Sequence, residues 1–356
     1  MTRVLTVDPE RPDPQIVEEA ARSLQRGDLV AFPTETVYGL GAHALDSTAV
    51  ERLFRAKGRP VTDPVIVHLA DGDRVGDVAR RVPAVAQDLA RRFWPGPLTL
   101  ILWKRERVPD TVTAGQPTVG VRVPSHPVAL LLLRMAGVPV AAPSANQFAR
   151  PSPTRAAHVL ADLEGVIDVL LDAGPTTIGI ESTILDLTVS PPLVRRPGRV
   201  SLEQIREFVP DAQSVTEVHG LRSAQPSAGQ LARHYAPRAT LTLYVGEPDR
   251  VAARLANDAR SAAASGSRVG VLAPEEDLIA LAPRLAAVAA TGRIVTMRYG
   301  SRRKRADAAR DLFRALRDLD GEGVDIILAS APDPQDIGVA VIDRLTRAAE
   351  GRVIYA

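Results

Sequence analysis

A chain of 356 residues is too long for one small core and points to about two domains. Its 45% hydrophobic and 24% charged residues exclude wholesale disorder, and the lack of cysteine excludes disulfides, thiolate metal sites and thiol nucleophiles, so a reducing cytoplasm is the expected compartment. Lys+Arg 44 against Asp+Glu 42 leaves a net charge of +2, which makes no bulk electrostatic case for nucleic acid.

No membrane is expected either: the best apolar run, Val128 to Leu133, falls far short of the roughly 18 residues a bilayer crossing needs. In chain order, Asp13-Pro14 opens a helix whose Ile16, Val17, Ala20, Ala21 and Leu24 share one face, stopped by Gly27. A short strand follows over 29–32, then an amphipathic helix over 47–56 closed by Gly58. Strands are predicted over 65–69, 98–103, 118–123, 138–142, 167–172 and 182–187. Helices fall between them at 84–93, 128–136 and 155–163, the last capped by Thr154, and Ser201 with Gln204 forms a capping box for a helix reaching about residue 208. Such irregular alternation predicts a mixed, twisted sheet with helices.

Periodicity fails over 209–238, which reads either as a disordered linker or as an ordered arm. Beyond it the pattern is regular: strands over 240–245, 268–272, 294–297, 325–329 and 353–355 alternate with helices over 249–263, 278–289, 302–319 and 339–349. This predicts a small Rossmann-like parallel α/β domain. The basic run Arg302-Arg303-Lys304-Arg305 then reads as the solvated face of an amphipathic helix.

Phosphate-loop, dinucleotide, H-E-x-x-H and G-x-S-x-G motifs are all missing, and the six histidines are scattered, so no transition-metal site is expected. What remains is polar residues in turn-rich segments of the first domain. Pro33 to Gly41 (PTETVYGLG) follows a strand end, where its hydroxyls serve equally as turn caps. Lys57, one of only three lysines, and Arg59 flank Gly58, and Pro60 biases Arg59 to extended backbone; an extended segment would converge both cations on one anion. Ser144 and Asn146 repeat the two-residue spacing with neutral hydrogen-bonding groups, which is what a polyphosphate site without a phosphate loop requires. On the strand 118–123, Arg122 lies beside Gly120 on the face opposite Val119, Val121 and Val123, suited to a carboxylate or to a salt bridge. His68 is a lone histidine on an apolar strand.

Together these segments resemble the YrdC-type domain of threonylcarbamoyl-adenylate synthases. The matching stretches, in family order, are PTETVYGLG, KGRP followed by VIVH, WPGPLTLIL, VGVRVPSHP, APSAN, PSPT, GIESTILDL and RRPG; ARHYAP and the tail are similar to the two-domain form. The resemblance implies a YrdC-type catalytic domain over 1–208, a linker arm over the active site at 209–238, and a Rossmann-like domain over 239–356. It implies conversion of L-threonine, bicarbonate (or CO2) and ATP to threonylcarbamoyl-AMP and pyrophosphate, with Mg²⁺ held mainly by the ATP phosphates. The product would pass to a separate tRNA threonylcarbamoyl transferase.

By the same resemblance, threonine would meet Thr36, His68, Arg122, the backbone of Ala142, and Ser182. ATP would meet Lys57, Arg59, Asp63, Thr118, Ser144, Asn146, Ser152, Arg196 and His234, with Lys57, Arg59, Ser144 and Asn146 acting on the phosphates. Asp63 stands where many members carry Asn, and Ser227-Ala228-Gly229-Gln230 where a Ser-Pro-Gly-Met-like run is common. His234 and Tyr235 are expected to cover the nucleotide, and Arg59→Ala is expected to remove activity while the fold melts normally. A rival expectation is a double-stranded RNA or tRNA-binding protein without nucleotide turnover. A carbamoyl-transfer domain of hydrogenase maturation is disfavoured because its companion modules are missing.

Overall fold

The computed structural model describes residues 1–214, 227 and 234–356. Most of the expected 209–238 arm, including Ala228, Gly229 and Gln230, lies outside the described residues. Two compact units divide the chain: Met1–Phe148 with Ser152–Leu231, and Ala149–Pro151 with Ala232–Ala356.

The first unit is built on an eleven-stranded sheet among the described residues. Its strands are β1 (Arg3–Thr6), β2 (Val30–Phe32), β3 (Gly39–His43), β4 (Val67–His68), β5 (Leu98–Trp103), β6 (Thr118–Arg122), β7 (Val140–Ala141), β8 (Val169–Asp172), β9 (Thr183–Asp186), β10 (Leu193–Arg196) and β11 (Gln213–Ser214). They lie in the order β1-β8-β2-β3-β7-β4-β6-β5-β9-β10-β11, with parallel and antiparallel neighbours interspersed, so the expected mixed sheet is present.

Helices α1 (Pro14–Gln25) and α5 (Pro127–Ala136) cover one face, where Val17, Ala21 and Leu24 pack with Leu132, Leu133, Phe32 and Val169. Asp13 caps α1 by accepting from the Gln15 amide, as expected. Against the other face lie α2 (Ser47–Lys57), α3 (Ala84–Phe93) and α6 (Ala156–Leu163), with Leu53, Leu89 and Val159 buried among Leu40, Leu100 and Leu170. Each fully buried leucine contributes about 1.5–3 kcal/mol, so these layers fix where the strand ends fall. The short α4 (Asp110–Thr113) and α7 (Leu202–Arg206) complete the unit, and α7 opens with the expected Ser201–Gln204 capping box. Thr154 is not the cap of α6. That position is Arg155, and the Thr154 amide instead donates to the ring of His158, one turn on.

The second unit alternates β12 (Thr240–Val245), α8 (Pro248–Ala264), β13 (Val269–Ala273), α9 (Glu275–Ala289), β14 (Ile294–Arg298), α10 (Arg305–Gly321), β15 (Ile326–Ser330), α11 (Ile337–Ala348) and β16 (Val353–Tyr355). All its strand pairs are parallel, in the order β14-β13-β15-β12-β16, as the Rossmann-like expectation requires.

One expectation fails here. Residues 302–304 precede α10, and Arg302 is no solvated side chain. Its guanidinium grips Asp277 with Nε and Nη2 at 2.6 and 2.8 Å and reaches Asp333 at 2.9 Å, while Ser330 Oγ donates to Asp277 at 2.6 Å. This network joins the carboxyl ends of the adjacent strands β13 and β15.

Candidate active site

The first site segment begins where α2 stops. Asp46 caps that helix through the Thr48 and Ala49 amides, and Gly58 ends it in the left-handed region at φ 61. The left-handed turn means that residues 57–59 are not extended, so Lys57 and Arg59 do not converge by alternation. Lys57 donates to the carbonyl oxygens of Ser144, at 2.5 Å, and Asn146. The Phe148 amide returns to the Lys57 carbonyl at 2.8 Å, clamping loop 144–148 onto the helix end. Arg59 bonds within its own loop. Its Nη2 meets Asp63 at 2.9 Å, and it donates to the carbonyls of Asp63 and Pro64 at 2.9 and 2.8 Å. Asp63, expected beside ATP, is thus the buried counter-ion of Arg59.

Loop 142–146 is held by β3, a strand the sequence reading did not assign. The Leu40 amide donates to Pro143 and the Ala145 amide to Tyr38, both at 2.8 Å. Gly41 is required there, because a Cβ would sit 2.9 Å from Val140 Cγ1 and 3.0 Å from the Phe32 ring. Ser144 Oγ lies 2.5 Å from Asn146 Oδ1, and the Ala142 amide is fixed to Ile66 O at 2.9 Å.

Parallel pairing of β4 and β6 sets His68 directly beside Arg122. Burial pushes the His68 imidazole down to about 3, with the Arg122 charge adding to the effect, so it is neutral near neutral pH. Arg122 donates to Glu35 Oε1 at 2.6 Å, an ion pair in which both side chains are buried. Glu35 was missed by the sequence reading: its partner lies 87 residues away and nothing local marks it. Beside it, Thr36 Oγ1 lies 2.8 Å from Thr34 Oγ1, which also donates to Val37 O, so the turn-capping account holds for Thr34. Segment 35–36 is pinned to 178–179 by backbone bonds of 2.8 and 3.0 Å.

The third cluster surrounds Ser182, whose hydroxyl lies 2.8 Å from Thr99 Oγ1. Arg196 donates to both its hydroxyl and its carbonyl, at 3.2 and 3.0 Å. Gly198 lets this segment cross closely, since a Cβ there would lie 2.4 Å from the Thr183 amide nitrogen. Ser152, fully buried, donates to Glu181. Thr118 is half-buried at the start of β6. His234 belongs to the second unit, where its ring packs against Tyr235 at 4.0 Å between centroids.

The first-domain candidates, apart from Ser152, therefore gather on or beside seven neighbouring strands, from β3 through β7, β4, β6, β5 and β9 to β10. Four buried cations, Lys57, Arg59, Arg122 and Arg196, stand among hydroxyl and amide groups. Among the described residues no group of three or more His, Asp or Glu is placed to hold a metal ion. Such a site suits binding anions and stabilising charge on them better than general acid–base chemistry.

Comparison with known proteins shows the family. A family profile described as "Telomere recombination" matches residues 22–198, and one described as "Threonylcarbamoyl-AMP synthase, C-terminal domain" matches residues 200–350. The chain is 40% identical to a threonylcarbamoyl-AMP synthase of Pyrococcus abyssi, covering 99% of both proteins. It is 41% identical to one of Bacillus subtilis, over 96% of this chain and 95% of that protein. The crystal structure of P. abyssi Sua5 complexed with L-threonine superposes with a TM-score of 0.91 at 39% identity, covering all of both chains. On this end-to-end similarity, the chain belongs to the threonylcarbamoyl-AMP synthase family.

Proposed function

We propose that this protein joins L-threonine, bicarbonate or CO2, and ATP into threonylcarbamoyl-AMP with release of pyrophosphate, and of water when bicarbonate is the carbon source. The observation that carries the reading is the juxtaposition of Arg122 and His68 on paired strands, beside the loop that Lys57 clamps. Arg122 takes the threonine carboxylate, and neutral His68, Thr36, Ser182 and the Ala142 backbone complete the amino-acid side. Lys57 orders the 144–146 loop so that Ser144 and Asn146 face the phosphates, and Arg59, Arg196, Ser152 and Thr118 frame the nucleotide. Asp63 acts through Arg59, by fixing its guanidinium.

N-carboxylated threonine is already an anion, so its attack on the α-phosphate requires no side-chain base. The site holds two anions together and stabilises charge on the departing pyrophosphate. Mg²⁺ enters as part of the substrate, bound to the triphosphate. The adenylate product is reactive and serves a tRNA threonylcarbamoyl transferase. Pyrophosphate release assayed with each substrate omitted in turn tests the reading. Release that depends on threonine, bicarbonate and ATP together supports it, and release indifferent to threonine overturns it.

A further inference from the structure

Glu35 lies inside the proposed threonine site and has no role in the chemistry just described. Its two carboxylate oxygens differ. Oε1 accepts from Arg122, whereas Oε2 is buried with no hydrogen-bond partner among the described residues. A buried carboxylate oxygen without a donor is rare in native proteins and marks a place that a ligand or water completes. Arg122 also has a donor to spare: Nε donates to Gly96 O at 3.3 Å and Nη2 to Glu35, which leaves Nη1 without a partner among the described residues.

The missing donor does not come from neighbouring cations. Nor does either nearby histidine supply it: His126 Nδ1 accepts from the Val128 amide, His68 Nδ1 lies 3.3 Å from Ile66 O, and neither ring is hydrogen-bonded to Oε2. The Glu35 backbone cannot shift freely to find another donor, because its carbonyl accepts from Ile178 N at 2.8 Å and Thr177 Oγ1 at 3.3 Å. A rigid ion pair with one open acceptor and one open donor matches a zwitterion, whose ammonium and carboxylate sit on one carbon.

We propose that Glu35 binds the α-ammonium of the amino-acid substrate through Oε2 while Arg122 takes its carboxylate, making Glu35 the residue that selects an amino acid over the corresponding hydroxy acid. This rests on the proposed function and adds a specificity-determining group to it.

Calorimetry on the full chain tests it with L-threonine and its α-hydroxy analogue, 2,3-dihydroxybutanoate. The wild type is expected to favour threonine by about 10- to 100-fold, the worth of one charge-assisted buried bond. In Glu35→Gln that ratio should fall close to one. The ratio is taken within each variant, so a general loosening of the pocket weakens both ligands and leaves it unmoved. An undiminished ratio in Glu35→Gln overturns the inference while leaving the threonine site intact. Should that variant fail to fold, equal affinity of the wild type for the two ligands overturns it as well. No threonine binding by the wild type overturns the proposed function itself.

Discussion

The Lys57 ammonium donates to the Ser144 carbonyl at 2.5 Å, tying a helix end to a loop 87 residues further along the chain. Its second acceptor is Asn146 O. Lys57→Met should therefore lower stability by about 1–3 kcal/mol for each carbonyl left without a donor, and should reduce pyrophosphate release more than it raises the KM for threonine. Lys57→Arg should not rescue it, because a planar fork does not replace a point donor seated between two carbonyls. Thermal melts and steady-state kinetics on the two variants check both statements.

Arg59 and Asp63 form a buried pair, with side chains 4% and 0% exposed. The expectation that Arg59→Ala melts normally is accordingly replaced. Removing either partner strands a buried charge and should cost about 3–5 kcal/mol. The double variant Arg59→Ala with Asp63→Ala should lose less stability than the sum of the two, while both variants lacking Arg59 lose pyrophosphate release. A double-mutant cycle from urea denaturation measures the coupling, and strict additivity contradicts the pairing.

His68 makes stability depend on pH. Its folded value of about 3 lies below the ordinary 6.5, so the unfolded chain binds the extra proton first as the pH drops. The stabilisation is present above 6.5 and is lost as the pH falls towards 3, at about 1.4 kcal/mol per pH unit for this one group. His68→Gln should flatten that part of the profile. Urea midpoints for both proteins between about pH 5 and about pH 7 read the difference.

In the second unit, Arg302→Ala breaks the grip on Asp277 and should destabilise the protein by about 3–5 kcal/mol. Arg303→Ala and Lys304→Ala, at exposed positions beside it, should stay within about 0.5 kcal/mol of the parent. Calorimetric unfolding of the three variants distinguishes a buried network from a solvated basic run.

What the sequence disclosed depended on how far apart the interacting groups lie. Local devices were legible: the Asp13 cap, the Gly58 stop, the Ser201–Gln204 box, and the whole β-α alternation after residue 240, whose strands are followed by the helices that cover them. Strand β1 was not, because Arg3–Thr6 pairs with Val169–Asp172 at the far end of the unit and carries no alternation of its own. Strand β3 was masked by its glycines; at Gly41 the reason is the Val140 and Phe32 side chains packed against it. At the site, residue types were readable but their partners were not. Glu35 with Arg122 there, and Arg302 with Asp277 in the second unit, are ion pairs that only the fold brings together.

Mass-spectrometric detection of threonylcarbamoyl-AMP in a mixture of the full chain, MgATP, L-threonine and bicarbonate addresses the activity itself. An adenylate peak that vanishes when threonine is withheld, accompanied by equimolar pyrophosphate, is the predicted result. ATP left intact, or hydrolysed equally with and without threonine, would contradict it.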